Sequence, residues 1–272
     1  MELTSIQMRI LNKIKDLNQY DLHPGKDLIC EKLIDFHNQS KTKKEILNLI
    51  DNTFLTENNG LYIADTFDWL EFLRNKNVEH ILVLGLPGVH AKQFISKLDE
   101  KKILYIDHDV AWKSLMRNAI NNISIISPFA DKKGFDFFGN YLIDAVKKNI
   151  DVEIITRSLK RTNKKNPRLL AFSNFYRHFC DELKNREINI YQFYDGTNEE
   201  EFHSHLGSVH AKLLIQDSKM AYIGSGEFRG NSIFKNIEIG YITSNESQVV
   251  NLKGIFDITK SMSIKTDWSL FQ

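Results

Sequence analysis

The segment that opens with Val209-His210-Ala211-Lys212 carries side chains that can do chemistry at short intervals. His210 is followed by Lys212, then Asp217, then Gly224-Ser225. On an extended chain, residues two apart project from the same face, so His210 and Lys212 point together. A neutral imidazole attacks phosphorus or carries a proton, and an ammonium beside it holds an anionic oxygen. Such a pair suits phosphoester chemistry. Further along, Asn236-Ile237-Glu238 enters an alternating run that continues to Ile242, supplying a carboxylate able to orient and charge-stabilise the imidazole.

Histidine, lysine and aspartate at these intervals, then Gly-Ser, then Asn-x-Glu, jointly resemble the phospholipase D superfamily over about residues 120–262, with the core at 209–240. The resemblance implies that His210 is the nucleophile or general acid and passes through a phosphohistidine. It also implies that Lys212 and Ser225 bind phosphate oxygens, that Asp217 and Glu238 are supporting carboxylates, and that Asn236 lies among the substrate-binding residues. No metal or cofactor is implied. One position departs from the family pattern: Glu227 stands where asparagine is usual. An amide donates to a phosphate oxygen, whereas an ionised carboxylate only accepts and repels the anion. Either the Glu227 pKa is raised so that it donates as an acid, or it turns away and Asn231 or Ser232 takes the role, or the site is catalytically weak.

In-line attack on a phosphodiester needs a nucleophile on one side of phosphorus and an acid on the other. One histidine cannot fill both places. The chain holds one motif, so two identical chains are expected to share a single site as a homodimer.

The elements that must position these residues are legible from periodicity. Apolar residues recur at helical spacing over 4–17, over Asp27 to His37, and after Ser40, followed by alternating runs around Asn58-Asn59-Gly60 that signal a hairpin. Three short helices and a hairpin resemble a winged-helix domain, expected over residues 1–65. Lys41-Thr42-Lys43-Lys44, at the start of its third helix, is placed where phosphate contacts would help, or else is a solvated helix start.

Residues 66–272 are expected to form the catalytic domain. Strands are predicted at 81–84, 103–106, 123–129, 152–157 and 188–191, in the two halves of the histidine motif, and at Glu238. Helices are predicted near 67–75, from Ala91 to Leu98, and at 110–120, 137–148, 167–184 and 248–260. Strands alternating with helices imply α/β architecture, a mixed sheet flanked by helices. Val89-His90-Ala91-Lys92 repeats the motif tetrapeptide, yet it starts an amphipathic helix, has Lys97 where the aspartate should be and lacks a following Gly-Ser. It is read as coincidence.

Arg157 to Arg168 is a basic stretch without an acid, leaving the carboxyl end of a strand, where α/β sheets bind ligands. Arg157, Lys160 and Arg161 are its candidate phosphate binders. His203 and His205 lie close to His210, but no cysteine is near and they are not taken as metal ligands. Asp107-His108-Asp109 reads as an acid–base pair or as a strand-end turn and helix N-cap. Phe172, Phe175, Tyr176 and Phe179 fall at helical spacing and are expected in the core.

With 36 basic against 35 acidic residues the net charge is +1, so binding of nucleic acid must come from local patches. No apolar run approaches the ~18 residues of a membrane span, the first residues lack a signal-peptide profile, and Cys30 and Cys180 read as buried thiols of a reducing cytoplasm. The expected function is a cytoplasmic, metal-independent nuclease acting on DNA or RNA, with nucleic acid, a second copy and other subunits of an anti-phage defence system as partners. The alternatives are a phospholipase or phosphatidyltransferase, and a non-catalytic nucleic-acid-binding subunit.

Overall fold

The computed structural model describes residues 78–86, 88–159, 166–184, 186, 188–195 and 207–267. It also describes the backbone at 56–58 and 61–63, and the helical positions Gln7, Ile10, Leu11, Ile14 and Ile46. The winged-helix expectation, its basic cluster and the boundary at 65/66 fall largely outside these residues. What is described there agrees with the local signals. β1 (Thr56–Asn58) and β2 (Leu61–Ile63) pair antiparallel as the Asn-Asn-Gly turn predicts. Ile10, Leu11 and Ile14 are fully buried, in one cluster with Ile81 and Trp112.

Nine of the remaining strands form a single mixed sheet. In chain order its parts are β3 (His80–Gly85), α1 (Gly88–Glu100), β4 (Tyr105–Asp107), α2 (His108–Arg117) and β5 (Asn122–Ile126). Then come α3 (Lys132–Lys147), β6 (Asp151–Thr156), α4 (Pro167–His178), α5 (Cys180–Leu183) and β7 (Asn189–Gln192). A separate small pair, β8 (Tyr194–Asp195) with β9 (Gly207–Ser208), precedes β10 (Leu213–Gln216) and β11 (Met220–Gly224). The chain then runs through α6 (Gly230–Phe234), β12 (Glu238–Thr243), α7 (Glu246–Ser261) and β13 (Ile264–Lys265). The order across the sheet is β13-β7-β6-β5-β10-β11-β12-β3-β4; β5, β6 and β7 are parallel, as are β3 and β4, and the strands from β5 through β10, β11 and β12 to β3 pair antiparallel.

Alternate residues of these strands serve two cores. Ile123, Ile125, Leu214, Tyr222 and Ile242 pack with Trp112 of α2 and Phe138 of α3, while Ile126, Ile155, Leu213, Ile215 and Ala221 pack under Val249 and Phe256 of α7. β5, β6 and β10 are covered on both faces and read as near-continuous apolar runs, whereas β12 alternates buried and exposed residues. α1 closes the far edge through Leu98, against Leu84 and Tyr105. It contains the repeated tetrapeptide, which is therefore helical and no second half of a site.

Three of the boundaries that differ from the sequence reading are the most informative. α3 starts at Lys132 because Asp131 caps it, accepting from Gly134 N at 2.8 Å. The strand expected at 103–106 is β4, shifted to Tyr105–Asp107. The helix expected over 167–184 breaks at Phe179 into α4 and α5. Phe172 and Phe175 are buried as expected, with Tyr176 and Phe179 packed against them.

Antiparallel neighbours place opposite strand ends together, and this builds the site. Lys212 precedes β10, Ser225 follows β11, Glu238 opens β12, and Phe129 and Arg157 follow β5 and β6. The registers Leu213↔Ile126, Leu213↔Ile223, Gly224↔Gly240 and Glu238↔Gly85 put these ends on one rim of the sheet.

Candidate active site

At this rim His210 is exposed and Lys212 is nearly buried. The lysine Nζ lies 3.2 Å from His210 Nε2 and donates to the His210 carbonyl at 2.9 Å. The Lys212 carbonyl accepts from Gly224 N at 3.3 Å, fastening the motif to the end of β11. Ser225 Oγ accepts from Ile239 N at 3.0 Å and donates to one oxygen of Glu238, whose other oxygen accepts from Asn236 Nδ2 at 3.2 Å. Glu238 thus holds Ser225 and Asn236. Among the described residues it makes no hydrogen bond to the imidazole it was expected to orient, because both of its oxygens are engaged at the start of its own strand.

Asp217 is not at the site. Strand β10 carries it about 16 Å from Lys212 at ~3.3 Å per residue, into the turn at the opposite rim. There its backbone is left-handed, φ 53°, and its carboxylate accepts from the backbone amides of Ile120, Asn121 and Asn122 at 3.0, 2.7 and 3.0 Å. It ties the β10–β11 turn to the entry of β5. Its placement in a catalytic set came from the motif resemblance, and the extended strand β10 carries it to the other rim.

Two loops are clasped together beside the imidazole. Ser127 Oγ accepts from Phe228 N at 3.2 Å and donates to the Phe129 carbonyl at 3.1 Å. Asp131 N donates to the Phe228 carbonyl at 3.0 Å, and the Asp131 carboxylate accepts from Gly230 N at 2.9 Å. Glu227 Oε2 accepts from Phe129 N at 3.1 Å. Gly134 has to lack a side chain, since a Cβ there would lie 2.2 Å from the Phe228 carbonyl oxygen. Glu227 is therefore buried inside the clasp, and it has not turned away. Burial pushes its carboxyl up to about 7, against the opposing pull of Lys212, the Phe129 amide and Arg229. Asn231 and Ser232, the alternatives considered for its role, lie in α6. Ser232 is buried, and the Asn231 carbonyl accepts from Lys235 N and Asn236 N.

Under the Gly-Ser turn lies an aromatic floor of Trp112, Phe138, Tyr222 and Phe228, with His108 packed among them. The Tyr222 hydroxyl accepts from Gly226 N at 3.0 Å, and a Cβ on Gly226 would meet His108 Nε2 at 2.2 Å. Burial holds the His108 pKa down at about 4, against Asp109 and Glu238. His108 is thus a neutral packing ring. Asp107 occupies the N-cap position of α2, the second of the two readings of Asp107-His108-Asp109, although its side chain makes no capping hydrogen bond.

Three arginines that no sequence spacing joins meet at Phe129. The guanidinium carbons of Arg157, Arg229 and Arg168 lie 5.1, 5.6 and 5.7 Å from its ring centroid, and the ring stands edge-on to His210 at 6.1 Å. Arg157 was anticipated. Arg168 was seen only as the end of a basic run, and Arg229 and Phe129 went unnoticed. Lys160, Arg161, His203 and His205 lie outside the described residues. Among the described residues no three His, Cys, Asp or Glu side chains converge as a metal site would require, and no helix is long and apolar enough to cross a membrane.

A family model described as the PLD-like domain of cardiolipin synthase matches residues 112–259, more than half of the chain. The chain belongs to the phospholipase D superfamily. The matched span runs from α2 to α7 and contains the whole rim described above. No curated protein matches. Among solved structures, this phospholipase-D-like chain is similar to Nuc, a phospholipase D family member from Salmonella typhimurium (TM-score 0.46, 16% identity, 69% of this chain and 99% of that one). It is also similar to NucT from Helicobacter pylori (TM-score 0.45, 13% identity, 69% and 100%). A third similar structure is the phosphatidylserine synthase of Haemophilus influenzae (TM-score 0.49, 11% identity, 85% and 48%).

Proposed function

We propose that this chain is a metal-independent nuclease that cleaves phosphodiesters through a phosphohistidine on His210, in a site completed by a second copy of the chain. The observation that carries the reading is the exposed His210 Nε2 with Lys212 Nζ at 3.2 Å, on the same rim as Ser225 and Asn236. In this reading the imidazole attacks phosphorus, and the bond to the leaving oxygen breaks as the partner copy's imidazole protonates it. Water then attacks the phosphohistidine and regenerates the ring. Lys212, Ser225 and Asn236 hold the non-bridging oxygens, and Glu238 positions the last two. Asp217 takes a structural role. The N-terminal segment is read as a winged-helix module, and a cytoplasmic defence setting suits an enzyme of this kind directed at foreign nucleic acid.

Purified protein in EDTA, offered labelled single- and double-stranded DNA, RNA and phosphatidylcholine, is expected to cleave nucleic acid at an undiminished rate. Headgroup release from phosphatidylcholine without strand cleavage would make it a phospholipase. Nucleic-acid binding without turnover would make it a non-catalytic subunit.

Glu227 adds a pH signature. Neutral below pH ~7, its carboxyl can donate to a phosphate oxygen; ionised above it, the group repels the substrate. In the wild-type, kcat/KM is expected to fall by up to about tenfold per pH unit on the alkaline side. Glu227→Gln, which stays neutral, is expected to flatten that limb. An unchanged alkaline limb in the variant excludes this role.

A further inference from the structure

Phe129 gathers three cations that make no salt bridge to a carboxylate among the described residues, although the Glu227 carboxyl lies close enough to Arg229 to feel its charge. Arg157 leaves the end of β6, Arg168 sits in the first turn of α4, and Arg229 lies in the clasped loop after β11. The Arg168 guanidinium donates to the Ser158 carbonyl at 3.0 Å, while its buried Nε has no hydrogen-bond partner. Burial, and then the charge of Arg157, lower its pKa. Like charges crowded in this way without a salt bridge favour an anion between them. The ring's contact with His210 brings all three guanidiniums within about 12 Å of the imidazole. A nucleic-acid strand carries a phosphate charge every ~3.4 Å of its axis. A strand bound with one phosphate at His210 therefore presents its next phosphates to the arginines. A phospholipid offers one diester and then acyl chains, for which three further cations have no use.

We propose that Arg157, Arg168 and Arg229, spaced around Phe129, form a subsite for the phosphates flanking the scissile one, and so make the enzyme selective for a polynucleotide strand over an isolated diester. The proposal rests on the reading of His210 as a phosphodiester site, and its test separates the two. Arg157→Gln, Arg229→Gln, their double variant and the triple variant with Arg168→Gln are compared with wild-type protein on two substrates. These are a labelled single-stranded oligonucleotide of about a dozen nucleotides and bis(4-nitrophenyl) phosphate.

In the triple variant the ratio of kcat/KM for the oligonucleotide to that for the small diester is expected to fall at least ~10-fold, mainly through KM. The slope of log K against log salt for oligonucleotide binding is expected to drop by about one per arginine removed. Parallel loss on both substrates, or an unchanged salt slope, overturns the subsite while leaving the catalytic reading intact. If neither substrate turns over, the catalytic reading fails, and the salt slope from fluorescence anisotropy still decides the subsite. If Arg168→Gln unfolds, the Arg157/Arg229 double variant carries the same test with a smaller slope change.

Discussion

His210→Ala is expected to lower phosphodiester turnover by ~10⁴-fold or more, the scale seen when a covalent nucleophile is removed. The residue is exposed, with its ring beside Phe129 and the Lys212 ammonium, so the thermal midpoint is expected to stay close to that of the wild-type. Mixing the variant with wild-type protein under conditions that exchange subunits tests the shared site. If each site needs an imidazole from both copies, an equal mixture retains about a quarter of the wild-type activity, because hybrid dimers are dead. If each chain works alone, the mixture retains about half. The second result removes the dimeric mechanism and leaves the nucleophile standing, whereas undiminished turnover by His210→Ala removes the nucleophile itself.

Asp217→Ala is expected to damage the fold and spare the chemistry. The carboxylate accepts three backbone amides at the entry of β5, and bonds to a charged acceptor contribute more than neutral ones. Alanine strands those donors and must also hold a left-handed φ of 53°, which Asp and Asn tolerate better. Together these cost on the order of 3–5 kcal/mol, read as a lower midpoint in chemical denaturation. Asp217→Asn keeps the turn and one acceptor oxygen and is expected to lose less. Below their unfolding temperature both variants should keep near-normal turnover. A variant of normal stability without activity would return Asp217 to the catalytic set.

The contrast between these two residues shows what the chain makes legible. The order of strands and helices follows from periodicity because α/β strands are apolar on both faces and helices on one, as in β5 and α7. His210, Lys212, Ser225, Asn236 and Glu238 were named from the motif, and antiparallel strands of fixed register bring these distant segments to one rim. Asp217 was assigned to the catalytic set by the motif resemblance, whereas the five residues from Lys212 to Asp217 run along β10 and carry it to the opposite rim. Phe129, Arg168 and Arg229 could not be found as a group, since they leave three separate elements and meet only after the Ser127–Phe228 and Glu227–Phe129 bonds close the clasp. The start of α3 was missed for a related reason: Asp131 caps its own helix and also binds Gly230 from across the chain.

Because the substrate-facing groups all leave one border of the sheet while Asp217 knots the other, stability and specificity occupy separate addresses. A lineage or an engineer can vary the loops after β5, β6 and β11 to retarget the enzyme without loosening the hairpin that seats the nucleophile. Conversely, reinforcing the Asp217 knot offers a hardier scaffold whose choice of cargo stays as it was.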